Sequence, residues 1–295
     1  MTGFHHILFP VDFSERCRAV RPFVKSLARK FNARITLLHT LGVPRGFYGG
    51  VDASYPIAVD WDAMKDDTVE QLQKFLELDE SFQPEVRAVA VVGEAAAEIV
   101  DYAAANHVDL IMMPTHGYGP FRSMLLGSIT AKVLHDCDCP VWTAAHTTEA
   151  HKEAPSLQQH VKCENVMCAV DSTPDAVRLI KQAVDVADSL HATLRLIHAV
   201  PPVDHTPMTR FEDVFRADLM RISRESVMKL QDQAGTHLDV CMEMGPVSKV
   251  VHAASLHHEA DLVMIGHGRI HNTLGRLRTN AYSIVREAPC PVLSV

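Results

Sequence analysis

A glycine-rich stretch between an apolar run and a helical pattern carries the residue types that bind phosphate groups. The apolar run, Leu110 to Met113, is typical of a buried parallel strand. A turn-rich loop with Gly117 follows it, and Gly127 and Ser128 stand directly ahead of the helical pattern. Glycines let a backbone approach an anion closely, and the first turn of a helix has free N–H groups and a partial positive charge. This order therefore predicts an anion-binding loop at the start of a helix.

The residues after this loop predict a helix and then another strand. Ile129, Val133 and Leu134 recur at helical spacing, and we expect them to share the buried face of the helix. A short apolar run from Val141 then predicts the next strand. Strand, helix and strand form a βαβ unit, the setting in which glycine loops bind phosphates.

The rest of the first half also alternates between strands and helices. Ser14 is placed to cap a helix with Val20, Val24 and Leu27 in its buried stripe. The predicted strands span residues 7–11, 34–38, 85–92 and 110–113, and a fifth strand begins near 141. The predicted helices span residues 14–31, 67–78 and 93–105, and a fourth helix follows residue 127. Such alternation predicts an α/β fold with a mostly parallel sheet and helices on both faces.

Ligands bind such sheets beyond the carboxyl ends of the strands, where the strand order reverses. Asp12 ends the first strand and segment 114–128 follows the fourth, so both would line that crevice if these strands are neighbours. Two interpretations stay open for each. The Asp12 carboxylate could help to cap the next helix or face a ligand. Gly117, Gly127 and Ser128 could equally form a tight turn and a helix cap.

The second half of the chain repeats the pattern of the first. VMCAVDSTP matches ILFPVDFSE, and ATLRLIHAV matches ARITLLHTL. The matched residues are Asp12 with Asp171, His39 with His198, Gly93 with Gly245, and Cys139 with Cys290. This self-similarity predicts a tandem duplication of one α/β unit. We expect a first domain at residues 1–146, a polar linker at 147–162 and a second domain at 163–295.

Composition limits the classes of partner and compartment. A chain of 295 residues is long enough for about two domains. The net charge of −8 argues against nucleic acid or an anionic membrane as the main partner. No apolar run approaches the ~20 residues of a membrane span, and the N-terminus lacks the order of a signal peptide. Seven cysteines, an odd number, suit a reducing compartment. We therefore expect a cytoplasmic protein.

Each half resembles a universal stress protein domain, and the whole chain resembles the tandem, two-domain form of that family. The family's nucleotide motif is glycine, two residues, glycine, nine residues, glycine, then serine or threonine. Gly117 and the pair Gly127-Ser128 match its last part in spacing. His116, Thr130 and the segment FPVDFSE also match the ATP-binding members. The first half therefore resembles the ATP-binding subclass most closely.

The resemblance implies a fold, a ligand and a partner. The fold would be two Rossmann-like open parallel sheets of five strands, in the order 3-2-1-4-5. The function would be regulation of the stress response through binding of ATP, with Mg²⁺, in the first domain. The fifth strands would meet as an intrachain pseudo-dimer, with a homodimer and a protein partner of unknown identity as further expectations. The implied nucleotide-binding residues are Pro10, Val11, Asp12, Thr40, Pro114, His116, Gly117, Gly127, Ser128, Ile129 and Thr130.

Both copies depart from the family motif. In the first copy, Pro114 replaces the first glycine, and proline has no N–H to offer a ribose or a phosphate. In the second copy, the segment that starts at Gly266 is one residue shorter than the segment that starts at Pro114 in the first copy. Arg278-Thr279 also replaces Gly127-Ser128. The arginine could fill the phosphate space or reach a phosphate itself. We expect the second site to be lost.

Catalysis has little support in the sequence. The chain has no G-x-x-x-x-G-K-[ST] loop, and segment 114–128 carries neither a lysine nor a carboxylate that could act as a base. Such a site would bind ATP more readily than cleave it. His135, Cys137 and Cys139 do not follow a common zinc spacing, so no metal site is expected. Two alternatives stay open: an interaction module that binds no nucleotide, and a weak ATP hydrolase.

Overall fold

The computed structural model describes residues 3–42, 59–115, 126–144, 163–202, 211–267 and 276–295, without the side chains of 211–213 and 276–279. His116 and Gly117, and the predicted linker, lie outside the described residues. The chain divides into two compact units. The first unit holds the described residues within Phe4–Arg122 and Gly127–Val141, and the second unit holds those within Trp142–Val295 together with Gly3 and Leu126.

Strands and helices alternate through the first copy of the fold. Its strands are β1 (His6–Pro10), β2 (Arg34–Leu41), β3 (Val86–Val92), β4 (Leu110–Met113) and β5 (Val141–Thr143). Its helices are α1 (Glu15–Phe31), α2 (Trp61–Phe75), α3 (Ala95–Ala105) and α4 (Ser128–Asp136). The side chains of β1 and β4 are almost wholly buried, as expected for central strands of a sheet covered on both faces.

The second copy repeats this order. Its strands are β6 (Asn165–Ala169), β7 (Thr193–Val200), β8 (Val240–Met244), β9 (Leu262–Ile265) and β10 (Val292–Ser294). Its helices are α5 (Asp175–Leu190), α6 (Phe211–Ala234), α7 (Val247–His257) and α8 (Arg276–Glu287). The duplication that the sequence predicts is therefore present at the level of secondary structure.

The strand order in each copy confirms the predicted order 3-2-1-4-5. The first copy is ordered β3-β2-β1-β4-β5, and the second is ordered β8-β7-β6-β9-β10. In the first copy, Ile7 of β1 faces Ile35 of β2 and Leu110 of β4, and both pairings are parallel. In the second copy, Val166 of β6 faces Leu194 and Leu262 in the same way. Right-handed crossovers then place α1 and α2 on one face of the sheet and α3 and α4 on the other.

Helix α1 forms where its cap and apolar stripe predict it. The Ser14 hydroxyl accepts a hydrogen bond from the Cys17 amide (3.1 Å), which fixes the start of the helix. Val20, Val24 and Leu27 are buried, as predicted from their spacing. The helix continues past an internal proline, Pro22, and Nε of Arg21 donates to the Arg18 carbonyl that the proline leaves without a backbone donor (3.1 Å).

The predicted end of β2 and the predicted start of α2 are both wrong. Strand β2 continues to Leu41 instead of ending at residue 38, because Thr40 and Leu41 pair with Val91 and Val92 of β3. Thr40 therefore lies within a strand and not after it. Helix α2 starts at Trp61, earlier than predicted, because the Asp60 carboxylate accepts a hydrogen bond from the Ala63 amide (3.0 Å).

Within the described ranges, none of the helices combines the length and the apolar character that a bilayer-crossing segment requires.

Candidate functional site

The strand order reverses between β1 and β4, and this creates the crevice in which ligands of open α/β sheets bind. From β1 the chain crosses to β2 on one side, and from β4 it crosses to β5 on the other. Ile7 faces Leu110 and Leu8 faces Ile111, so the residues that follow β1 emerge beside those that follow β4. This confirms the condition on which the predicted site depends. The carboxyl ends of β1 and β4 therefore define the candidate site.

Asp12 organises the turn that leaves β1. Its Oδ1 atom accepts hydrogen bonds from the amide of Ser14 (3.0 Å) and from the Ser14 hydroxyl (2.6 Å). The same Ser14 hydroxyl accepts from the Cys17 amide at the start of α1. Asp12 therefore has the structural role that the sequence left open, since it orients the residue that caps the helix. Whether its carboxylate also faces a ligand stays a prediction.

The residue after Asp12 has an uncommon backbone conformation. Phe13 has φ of 59°, in the left-handed region that bulky residues seldom adopt. Its ring packs against the rings of His39 (5.0 Å between centroids) and Phe75 (5.6 Å). Strain of this kind costs on the order of 1–3 kcal/mol and clusters at functional sites. This feature was not predicted from the sequence, where the only signal was the Asp-x-Ser spacing, which predicts a turn but not the strained angle.

Backbone contacts fix the rest of this turn. The Val11 amide donates to Leu38 O (2.8 Å), and Val11 O accepts from Nδ1 of His39 (2.6 Å). Pro10, at the end of β1, is half-buried and its carbonyl accepts from the Cys17 thiol (3.5 Å). The predicted residues Pro10, Val11 and Asp12 are therefore brought together at one strand end.

The start of α4 is held against the end of β4 by two hydrogen bonds. The Gly127 amide donates to Thr115 O (2.8 Å), and the Thr130 hydroxyl donates to Pro114 O (3.0 Å). The chain therefore leaves the sheet and returns to it at one place. Ser128 and the two residues after it form the first turn of α4, where N–H groups have no intrahelical partner. The end of β4 and the helix start predicted from the glycine spacing are thus brought to the candidate site, while residues 116–125 lie outside the described residues.

The burial of α4 corrects one expectation. Val133 and Leu134 are buried as predicted, but Ile129 is 41% exposed, and Thr130 takes its place in the buried face at 3%. With a rotation of 100° per residue around the helix axis, the mean direction of Thr130, Val133 and Leu134 lies roughly 90° from the direction of Ile129. An exposed isoleucine therefore stands in the first turn at the edge of the crevice, where an apolar side chain is available to a ligand.

Lys132, one turn into α4, is a second feature that was not predicted from the sequence. Its Nζ lies 2.9 Å from Oε2 of Glu94, which caps α3 by accepting from the amides of Ala96 and Ala97. The hydrogen bond from Lys132 lowers the pKa of Glu94, and the same bond raises the pKa of Lys132. The spacing of four residues from Ser128 was a usable signal, because residues at i and i+4 share a helix face. Lys132 and Glu94 thus form an ion pair that joins α4 to the start of α3.

The second unit keeps the hydrogen bonds of the turn after its first strand, but the helix after its fourth strand starts at a different position. Oδ1 of Asp171 accepts from the amide (3.0 Å) and hydroxyl (2.6 Å) of Thr173, and Nδ1 of His198 donates to Val170 O (2.9 Å), as their counterparts do in the first unit. Helix α8, however, begins at Arg276, so Arg278 and Thr279 lie inside the helix and not at its start. The position of Gly127, which precedes α4, therefore falls within the first turn of α8 in the second copy.

Groups of three or more histidine, cysteine or carboxylate side chains able to hold a metal ion are absent from the described part of the chain.

Comparisons with known proteins agree with this architecture. A universal stress protein of Methanocaldococcus jannaschii is 25% identical over 138 residues, which are 47% of this chain and 80% of that protein. A second universal stress protein of the same organism is 28% identical over 153 residues, which are 47% of this chain and 93% of that protein. Each relative thus matches about half of the chain.

Two solved structures share the fold over the full length. A universal stress protein from Archaeoglobus fulgidus has a TM-score of 0.63 at 19% identity, with 100% of this chain and 97% of that chain covered. A functionally unknown protein from Pseudomonas aeruginosa also has a TM-score of 0.63, at 17% identity, with 100% and 93% covered. The universal stress protein family itself matches residues 3–144 and 162–295. The chain therefore belongs to the universal stress protein family and carries two copies of its domain in tandem.

Proposed function

We propose that this protein acts in the stress response as a regulatory protein that binds one adenine nucleotide, ATP with Mg²⁺, in its first unit. The observation that supports this most strongly is the Gly127 amide bonded to Thr115 O (2.8 Å), which holds the start of α4 at the carboxyl end of β4, next to β1. A helix start at the switch point of an open sheet is suited to a phosphate group.

In this proposal, the phosphates bind on one side of the crevice and the base and ribose bind on the other. The phosphates would lie at the first turn of α4, where Gly127 has no side chain to obstruct an anion. The base and ribose would lie toward the turn of Pro10, Val11 and Asp12, with the half-buried Thr40 on the neighbouring strand. Ile129, exposed at the rim, would cover part of the ligand. His116 and Gly117 complete the proposed set by their match to the family motif.

The second unit is proposed not to bind a nucleotide. Helix α8 starts at Arg276, three positions before the residue equivalent to Ser128, because Thr279 corresponds to Ser128. The free N–H groups of the helix start are therefore displaced from the place that they occupy in the first unit. The association of the two units through their last strands, and a homodimer, stay predictions.

A Gly127→Val variant tests the site, with binding of ATP and Mg²⁺ measured by calorimetry. Gly127 has φ −59° and ψ 142°, an extended conformation open to valine, so the variant should fold normally. We expect the added side chain to weaken binding at least tenfold, or ~1.4 kcal/mol. Arg278→Val, which places the same residue at the equivalent position of the second unit, is the matched control and should leave affinity unchanged. Equal affinity in Gly127→Val and the parent would show that the site lies elsewhere.

A second candidate function, an interaction module without a nucleotide, is favoured by Pro114. This residue has no N–H, and its carbonyl already accepts the Thr130 hydroxyl, so its backbone has less to offer a ligand than a glycine would. Absence of binding in the parent protein would favour this candidate. The weak hydrolase alternative predicts steady release of phosphate that Ser128→Ala abolishes.

A further inference from the structure

Two cysteines lie in contact at the end of α4 that is opposite to the candidate site. Cys137 follows the last residue of the helix, and its amide bonds to Val133 O (2.9 Å). Cys139 stands two residues later, directly before Pro140. Their sulfur atoms are 3.3 Å apart. Cys137 is 8% exposed and Cys139 is more open, so a small oxidant has access to one side of the pair.

The contact makes one thiol easier to ionise than the thiols that are simply buried. The hydrogen bond between the two thiols lowers the pKa of Cys137, and the same contact raises the pKa of Cys139. Burial instead raises the pKa of Cys17 and of Cys290, each to about 12. Because the thiolate is the reactive form of cysteine, the pair has a nucleophile and a neighbouring thiol ready to resolve it.

The second unit shows that packing does not require the pair. Ala288 stands at the position of Cys137, and the pre-proline Cys290 stands at the position of Cys139. Both second-unit residues are buried, as Cys137 is. A small apolar residue therefore suffices after this helix, and the second thiol of the first unit has no counterpart in the repeat. A metal would need further ligands, and no such group occurs among the described residues.

We propose that Cys137 and Cys139 are a reversible dithiol–disulfide pair that reacts with peroxides. The Cys137 thiolate attacks one oxygen of hydrogen peroxide, so that the O–O bond breaks and Cys137 becomes a sulfenic acid while hydroxide leaves. The Cys139 sulfur then attacks the Cys137 sulfur, an S–S bond forms, and water leaves with the proton of Cys139. Two thiols lose two electrons in total, and one peroxide is reduced to two waters.

The disulfide would connect the end of α4 with the entrance to β5. The Pro140 carbonyl accepts from the Ile111 amide (2.9 Å), so the residue after Cys139 is tied to β4. The sulfur atoms must close from 3.3 Å to the ~2.05 Å of a disulfide, which needs a small movement of the segment between them. The pair thus forms a covalent link between two elements of the first copy of the fold, and reducing conditions open this link.

Peptide mapping of the whole protein tests the proposal. Trypsin cleaves after Lys132 and after Lys152, so both cysteines remain in peptide 133–152. The reduced protein is treated with hydrogen peroxide, quenched with catalase and alkylated under denaturing conditions. We expect peptide 133–152 to lose both alkylation sites and to be lighter by two hydrogen atoms, and dithiothreitol to restore both sites. The rate should rise with pH as the Cys137 thiol ionises, because the thiolate is the reactive form.

Three variants complete the test. Cys137→Ala copies the residue found in the second unit, and Cys139→Ala should stop the reaction at a sulfenic acid that dimedone traps. Cys139→Ala should also move the pH midpoint upward, because the hydrogen bond to the thiolate is lost. Cys290→Ser, the matched control, should leave the disulfide unchanged. Three results for peptide 133–152 of the parent protein would overturn the proposal. These are that both thiols remain, that a cysteine ends as sulfinic acid, or that the peptide is linked to another cysteine.

Discussion

Asp12 shows how a single residue can serve the fold and be available for a ligand. One carboxylate oxygen, Oδ1, holds the amide and hydroxyl of Ser14 and so positions the cap of α1. Asp171 and Thr173 repeat the contact in the second unit, where the nucleotide motif is absent. The turn is therefore required by the fold in both copies, and any ligand contact of Asp12 is additional to it.

Replacing Asp12 separates these roles. Asp12→Ala removes the acceptor of two hydrogen bonds and should lower the free energy of unfolding by ~1 kcal/mol. Asp12→Asn keeps an oxygen at the same place and should lower the free energy of unfolding much less. Urea denaturation measures both, and Asp171→Ala and Asp171→Asn are the matched pair in the second unit. Equal losses for alanine and asparagine would show that the charge, and not the turn, stabilises the fold.

Glu287 predicts a pH dependence of stability. Hydrogen bonds from Arg286, and then from Ser248 and Lys249, lower the pKa of its carboxyl from 4.5 to about 2. Because the pKa in the folded state is depressed, the carboxylate stabilises the fold above pH 4.5, and this contribution is lost as the pH falls toward 2. We expect Glu287→Gln to lower the free energy of unfolding by ~1.5 kcal/mol at about pH 6 and by less at about pH 3.

Denaturation at the two pH values measures this difference, and Glu80→Gln, on an exposed residue, is the control. A loss from Glu287→Gln that is the same at both pH values would contradict the depressed pKa.

At the scale of single residues, the sequence predicts best where a residue acts on its own chain neighbours. Ser14 capping α1 and Gly127 preceding α4 follow from local rules. Contacts between distant segments were not predictable in this way. Asp109 binds the amides of His5 (2.8 Å) and His6 (3.0 Å), and Asp261 does the same at the start of β6, but nothing local to either aspartate indicates such a partner.

At the scale of elements, α1 shows how a helix tolerates an internal proline. Pro22 lacks the N–H that would bond to Arg18 O, and Nε of Arg21 donates to that carbonyl instead (3.1 Å). The same guanidinium donates to Phe75 O (2.8 Å) at the end of α2 and pairs with Glu77 (2.6 Å). Arg21 therefore repairs one helix and joins it to another.

A double-mutant cycle on Arg21 and Pro22 tests this role. Arg21→Ala alone should cost ~2 kcal/mol of stability, because two carbonyls lose a charged donor. The Pro22→Ala change restores the missing backbone N–H, so in that background the cost of Arg21→Ala should fall by ~1 kcal/mol. Additive effects in urea denaturation would show that Arg21 does not compensate for the proline.

The elements themselves were largely predictable, and their limits were not. Apolar runs and helical periodicity indicate the strands and helices of the first copy, because a buried strand or a helix face must be apolar. The end of β2 depends on pairing with β3 and the start of α2 depends on Asp60, so neither follows from periodicity. The spacing of four residues to Val133 predicts that Ile129 is buried. In the structure Thr130 is buried instead, and the buried face of α4 is turned away from Ile129.

At the scale of the whole molecule, duplication kept the sheet and changed one of the two crevices. Strand order is the same in both copies, and so are the hydrogen bonds that the aspartate accepts in the turn after the first strand. The difference lies in the helix after the fourth strand, which starts at Ser128 in the first copy and at Arg276 in the second. One copy thus keeps a helix start where a phosphate could bind, while the other has helix there.

This difference predicts that removing an arginine will not restore the second site. In Arg278→Gly the side chain is gone, but the helix start remains displaced toward Arg276. We expect the number of ATP molecules bound per chain to stay at one in a calorimetric titration. A second equivalent of ATP in this variant, with one in the parent, would show that the arginine side chain alone closes the second crevice.

Calorimetric titration of the whole parent chain with ATP and Mg²⁺ tests the proposed function most directly. We predict binding of one ATP per chain at micromolar affinity, about −8 kcal/mol, because α8 starts three positions before Thr279, the residue equivalent to Ser128 at the start of α4. Two ATP per chain would contradict the loss of the second site. No heat, together with no competition against a labelled adenine nucleotide, would contradict nucleotide binding and leave the interaction module as the function.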